Sequence, residues 1–146
     1  CEKIFKVDYI DCSPGMLEKA QQRIGHDSRV RWQCENFEDA RPREYDAIVC
    51  HFVLDGFEGE HLRRFVGSIF KSLKTNGVLL VSDFDSRVHL GAAALVVCMQ
   101  CFFKVFAGVP MVEVTKPDDL LVAFEMTKVG ENHWWNGTIF SQIWKM

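Results

Sequence analysis

Two short apolar runs, Ala47–Cys50 and Val78–Val81, constrain this chain most. Neither run is interrupted by a polar side chain, so each can be buried on both faces. That suits inner strands of a parallel sheet, whose faces are covered by helices. Between them Leu62, Phe65, Val66, Ile69, Phe70 and Leu73 recur at helical spacing, with Arg63, Arg64, Lys71 and Lys74 on the wet side. That pattern is one face of an amphipathic helix, and Asn76-Gly77 is expected to end it. The unit is strand, helix, strand, and its second strand ends in an acid, Asp83.

The first forty residues repeat the theme. A strand is expected from Phe5 to Ile10, ending at Asp11. Ser13 is a good helix cap and Pro14 fits the first helical position. Leu17, Ala20 and Ile24 then share a helix face, and Gly25 supplies a stop. Val30 to Cys34 alternates apolar and polar residues, as a half-buried strand near a sheet edge does. Alternating strands and helices imply a parallel sheet with right-handed connections.

The tail differs. A very apolar helix is expected over Val88 to Phe106, broken by Gly108 and Pro110. Pro117-Asp118-Asp119 begins a short helix with Leu120, Leu121 and Phe124 on its inner side. The extended pieces "EMTKVGENHWW" and "TIFSQIWKM" meet at Asn136-Gly137, a strong hairpin signal. The aromatic residues Phe102, Phe103, Phe106, Trp134 and Trp135 are expected in the core.

The 146 residues match one domain in size. A net charge of -3 argues against a nucleic-acid or anionic-membrane surface. The longest uncharged apolar stretch, Leu90 to Phe103, is shorter than the roughly 18–20 residues of a membrane span. No secretory leader is legible, so the six cysteines are expected as buried free thiols in a reducing cytoplasm. Cys98 and Cys101 form a CxxC with no second ligand pair, which reads as two small apolar residues on one helix. His26, His61, His89 and His133 are expected on turns, exposed helix positions and the hairpin. No metal is expected.

Ligands of open α/β sheets bind beyond the carboxyl ends of the strands. Four ends are readable: Asp11-Cys12-Ser13, Glu35-Asn36-Phe37, His51-Phe52 and Ser82-Asp83-Phe84. A carboxylate at Asp11 can accept two hydrogen bonds from a ribose diol, or can cap its own turn. The Asn36 amide can pair with an adenine edge or close a turn. Phe37 can wall a base or fill the core.

These segments, in this order, resemble the class I methyltransferases that use S-adenosylmethionine. "VDYIDCSPGMLEKAQQRI" resembles their second motif, in which an acid ends the second strand and a Ser-x-x-Met-Leu helix start follows. "VRWQCENFED" resembles their third strand and adenine-contacting turn. "YDAIVCHFVLDGF" resembles their fourth strand and substrate-facing loop, and "LKTNGVLLVSDF" the segment entering their fifth. The resemblance covers essentially the whole chain. It implies a Rossmann-like α/β fold: a mostly parallel sheet closed by an antiparallel hairpin.

By position, the resemblance assigns Asp11 to the ribose hydroxyls and Cys12 and Met16 to the adenine pocket, with Ser13 in the same cofactor-binding corner. Asn36 and Phe37 fall to the adenine edge and face. His51 and Phe52 fall near the methionine part. Asp55 and Phe57 face the acceptor, with His51 and Asp55 the candidate catalytic bases. The implied cofactor is S-adenosyl-L-methionine and the implied partner a small, hydrophobic acceptor.

The family's first strand and glycine-rich loop precede the acidic strand, and here nothing precedes Cys1. Strands lie about 4.8 Å apart, so omitting the strand between the second and fourth opens a gap of about 10 Å. The expectation is one domain, 1–146, incomplete at its N-terminus. The apolar helix then has three outlets: burial under the missing segment, cover for a hydrophobic acceptor, or a homodimer or membrane contact. Two rival functions stand beside methyl transfer: an NAD-dependent Rossmann oxidoreductase and a non-catalytic binding module.

Overall fold

A computed structural model describes residues 5–39, 43–85, 88–107 and 117–146. The chain divides into two compact units, Cys1–Arg41 and Pro42–Met146.

The first unit is a parallel pair, β1 (Val7–Ile10) and β2 (Val30–Gln33), joined by helix α1 (Pro14–Ile24). Parallel neighbours need such a crossover, because a tight turn cannot bring the chain back to the same end. The register sets Asp8 opposite Arg31 and Tyr9 opposite Trp32. Both pairings are used: Arg31 Nη2 donates to Asp8 Oδ2 at 2.9 Å, and the two rings sit 5.0 Å apart. Helix α1 starts and stops where expected. The Ser13 side chain caps it, Pro14 opens it, and Gly25 leaves it at φ 73°, donating to the Gln21 carbonyl. Of the expected inner face, Leu17 is buried, Ala20 is half-buried and Ile24 is exposed.

The second unit is a four-stranded sheet in the order β3-β4-β6-β5. Its strands are β3 (Tyr45–His51), β4 (Leu73–Phe84), β5 (Thr127–Trp134) and β6 (Ile139–Lys145). Strands β3 and β4 are parallel; β6 runs antiparallel to both β4 and β5. The expected hairpin is therefore present, and its turn runs through positive φ at Trp135, Asn136 and Gly137. A side chain at Gly137 would press against Val88 at 3.0 Å.

Strand β4 is an inner strand, with Leu79 and Val81 fully buried. Strand β3 corrects an expectation. Among the described residues it pairs only with β4, which puts it at the margin of the described sheet. Its burial alternates: Ile48 and Cys50 are covered while Ala47 and Val49 face outward. An unbroken apolar run therefore did not mean burial on both faces here.

Helix α2 (Gly59–Ser72) buries Phe65, Val66 and Ile69 as its periodicity requires. It ends earlier than expected. Leu73 turns extended and pairs with Tyr45, and Asn76-Gly77 instead lies in an irregularity before the register resumes at Ala47 and Val78. Gly77 is needed there, since a Cβ would sit 2.8 Å from the Lys74 carbonyl oxygen. The short helix α4 (Asp118–Ala123) buries Leu121, and the rings of Phe124 and Phe70 stand 5.7 Å apart.

Helix α3 (Leu90–Ala107) starts on a cap the sequence did not announce: His89 Nδ1 accepts from the Ala92 N–H at 2.9 Å. It buries only a narrow stripe. Ala92 and Val96 are covered, and Met99 packs with Ile139 against the pair formed by Phe84 and Val96. Phe102, Trp134 and Trp135 are exposed, against the expectation that they fill the core. The Phe103 and Phe106 side chains lie outside the described residues. No described helix is long and apolar enough to cross a membrane.

Candidate functional site

In the first unit the chemistry gathers at the carboxyl end of β1. The Asp11 N–H donates to the Gln33 carbonyl at 3.1 Å, which ties this corner to the end of β2. Asp11 Oδ1 accepts from the Ser13 N–H at 2.8 Å, closing a side-chain-capped turn. Ser13 Oγ in turn accepts from the Met16 N–H at 3.4 Å. The strand therefore delivers the carboxylate and the helix cap fixes its rotamer. Among the described residues nothing hydrogen-bonds Asp11 Oδ2. Cys12 and Met16 flank the corner and are exposed.

The second strand end comes to the same corner. Cys34 Sγ lies 3.9 Å from the Cys12 carbonyl oxygen, a contact the spacing of the two cysteines does not announce. Asn36 is partly committed: its Nδ2 donates to Asp39 Oδ2 at 3.1 Å, and its carbonyl accepts from the Asp39 N–H. That is the turn-closing role, which leaves its Oδ1 as the acceptor available to a ligand. Phe37 is half-buried. The expectation of buried thiols fails here, because Cys12 and Cys34 are exposed, as are Cys98 and Cys101 on α3.

In the second unit the ends of β3 and β4 lie side by side, with His51 opposite Ser82 in register. His51 is exposed. Phe52 follows in a left-handed conformation, φ 53°. That region is unfavourable for a bulky residue and costs about 1–3 kcal/mol. Two contacts hold it: the Phe52 N–H donates to the Ser82 carbonyl at 2.8 Å, and its ring leans on Phe84 with centroids 4.7 Å apart. Buried Leu54 anchors the turn Leu54–Gly56 that carries Asp55, whose side chain lies outside the described residues.

Two acids at the end of β4 are buried. Asp83 Oδ1 accepts from the Phe84 N–H at 2.9 Å, and the Asp85 N–H donates to the Thr138 carbonyl at 2.8 Å. The sequence marked Asp83 as a strand end but gave no sign that Asp85 would be covered. Beside them the Cys50 thiol is pushed up to about 12, by burial first and by the Asp83 charge second. Cys50 therefore stays a neutral thiol at physiological pH and is a poor nucleophile or metal ligand. Among the described residues no three His, Cys, Asp or Glu side chains gather to hold a metal ion.

Residues 2–79 match the family described as "Methyltransferase domain". Over 79 residues the chain is 33% identical to a malonyl-[acyl-carrier protein] O-methyltransferase of Anoxybacillus flavithermus, a stretch of 53% of this chain and 29% of that protein. Over 74 residues it is 35% identical to a carboxy-S-adenosyl-L-methionine synthase of Helicobacter pylori, covering 51% of this chain and 30% of that one. The matched stretches thus span about a third of these relatives. The N-methyltransferase NodS of Bradyrhizobium japonicum, solved with S-adenosyl-L-homocysteine, superposes with a TM-score of 0.65 at 16% identity, over 96% of this chain and 66% of that one. That likeness confirms the Rossmann-like methyltransferase fold with its terminal hairpin.

Proposed function

We propose that this chain, which belongs to the methyltransferase-domain family, transfers a methyl group from S-adenosyl-L-methionine to a small, hydrophobic acceptor. The observation that carries the reading is the Asp11 corner, inside the matched stretch. One carboxylate oxygen is spent on the Ser13 N–H and the other is open among the described residues. A carboxylate fixed in this way fits a ribose hydroxyl without having to be ordered on binding. It serves as cap and ligand at once, so the two readings of Asp11 are not exclusive.

The remaining roles follow by position. Asp11 accepts from the ribose, with Ser13 holding its rotamer. Cys12 and Met16 offer apolar surface to the adenine, whose edge and face fall to Asn36 Oδ1 and the Phe37 ring. His51 and Phe52 stand at the methionine end. When bound, S-adenosylmethionine would supply an electrophilic methyl carbon with a thioether sulfur as its leaving group. The protein's main work is then alignment and exclusion of water. His51, exposed at the strand end, accepts the acceptor's proton where the acceptor carries one, and Asp55 is the alternative base.

Calorimetric titration with S-adenosylhomocysteine and with NAD tests the reading. Saturable binding of the homocysteine nucleoside and none of NAD is expected. Binding of NAD alone would replace methyl transfer by a dehydrogenase.

A further inference from the structure

Phe52 combines a left-handed backbone with an exposed aromatic side chain, as Trp135 does in the hairpin turn, but Phe52 stands at the end of a parallel strand. Its backbone is strained, yet the residue is 46% exposed, so burial does not explain why the strain is kept. Strain of this kind collects where a side chain must be aimed at a ligand. Behind Phe52 lies Phe84, which packs with Val96, Met99 and Ile139. On α3, Leu95, Met99 and Phe102 fall at i, i+4 and i+7, one stripe of the helix. Leu95 and Phe102 are exposed. An apolar wall therefore runs from the end of β3 through Phe84 to α3, all within the second unit.

Charge narrows what can lie on that wall. The segment from His51 to Phe57 contains no lysine or arginine; its titratable residues are His51 and Asp55. A carboxylate acceptor would find no cation in that segment. A flat, uncharged ring would instead gain offset stacking on the exposed face of Phe52. The methionine end of the donor, where Phe52 is assigned, is also where an acceptor must arrive.

We propose that Phe52 is the floor on which the acceptor rests, and that the acceptor is a flat, uncharged aromatic or conjugated ring rather than an aliphatic carboxylate. This rests on the methyl-transfer reading and names its substrate class.

The test titrates 2-naphthol and hexanoate into wild-type protein, Phe52→Leu and Phe52→Trp, each with and without S-adenosylhomocysteine. Circular dichroism checks that the variants fold. Wild type is expected to prefer 2-naphthol, Phe52→Leu to lose about fivefold in naphthol affinity, and Phe52→Trp to keep it. Hexanoate affinity is expected to stay flat across the three. Equal naphthol binding by wild type and Phe52→Leu, or a preference for hexanoate, would overturn the proposal. Failure of the homocysteine nucleoside to bind wild type would sink the methyl-transfer reading, while the titration without it still decides whether Phe52 is an aromatic floor.

Discussion

The two units of this chain rest on very different foundations. Of the 17 buried hydrophobic residues among those described, Leu17 alone belongs to the first unit. The second holds the rest, around a four-stranded sheet whose inner strands bury Leu79, Val81, Phe140 and Trp144. Two strands and one helix bury less apolar surface than four strands under helices, and burial is the main stabilising contribution. The residues assigned to the cofactor's nucleoside thus sit on the lightly buried unit. Those assigned to the reacting end sit on the well-packed one. On the proposed assignment, bound ligand is expected to order the nucleoside side more than the acceptor side.

The largest effect expected from this contrast is on the core of the second unit. Phe140→Ala should cost about 3–5 kcal/mol of unfolding free energy in a denaturant titration, the usual range for emptying a buried aromatic site. Leu17→Ala should leave hydrogen-exchange protection in β4 and β6 unchanged while lowering it in β1 and β2. Equal loss of protection in both sheets would erase the distinction.

Next in size is the response to ligand. At a hundredfold excess over its dissociation constant, S-adenosylhomocysteine should raise the opening free energy of the β1 and β2 amides by up to about 2.7 kcal/mol. The amides of β4 should gain less. Hydrogen exchange with and without the nucleoside reads both, and a larger gain in β4 would reverse the assignment.

Smallest over any single pH unit is a pH effect confined to the second unit. Cys50 is raised from 9.0 to about 12 in the fold. The folded chain keeps this proton where the unfolded chain releases it. Its contribution is therefore complete below pH 9, and is lost as pH rises toward 12. The slope is at most about 1.4 kcal/mol per pH unit. Unfolding curves across that window should show the slope in wild type and a shallower one in Cys50→Ala, where Lys128 still titrates. Iodoacetamide at pH 8 should label Cys12, Cys34, Cys98 and Cys101 and spare Cys50 until the chain unfolds.

Much of the fold was legible because local chemistry decided it. Ser13 and Pro14 start α1, Gly25 ends it, and Asn136-Gly137 turns the hairpin, each through backbone preferences of a few residues. What was not legible depended on neighbours. The run Ala47–Cys50 is apolar enough for an inner strand, but only pairing decides whether a strand is inner, and among the described residues β3 pairs with β4 alone. Asn76-Gly77 looked like a helix stop and lies in a strand irregularity, because Leu73 found Tyr45 as a partner first.

The site shows the same split. Asp11 and Phe52 were marked by position, but two facts needed coordinates: Asp11 spends one oxygen on Ser13, and Phe52 sits at positive φ. The exposure of Phe102, Trp134 and Trp135 was missed for the same reason, since aromatic composition says nothing about which faces are covered.

The central claim is that the Asp11 carboxylate holds the cofactor's ribose. Titration of S-adenosylhomocysteine into wild type, Asp11→Asn and Asp11→Ala measures it directly. The asparagine variant keeps an oxygen for the Ser13 N–H, so it separates the cap from the ligand. Both variants are expected to weaken binding by about 1–3 kcal/mol, the cost of leaving buried partners without their acceptor. Binding by Asp11→Asn and Asp11→Ala as tight as wild type would contradict the account.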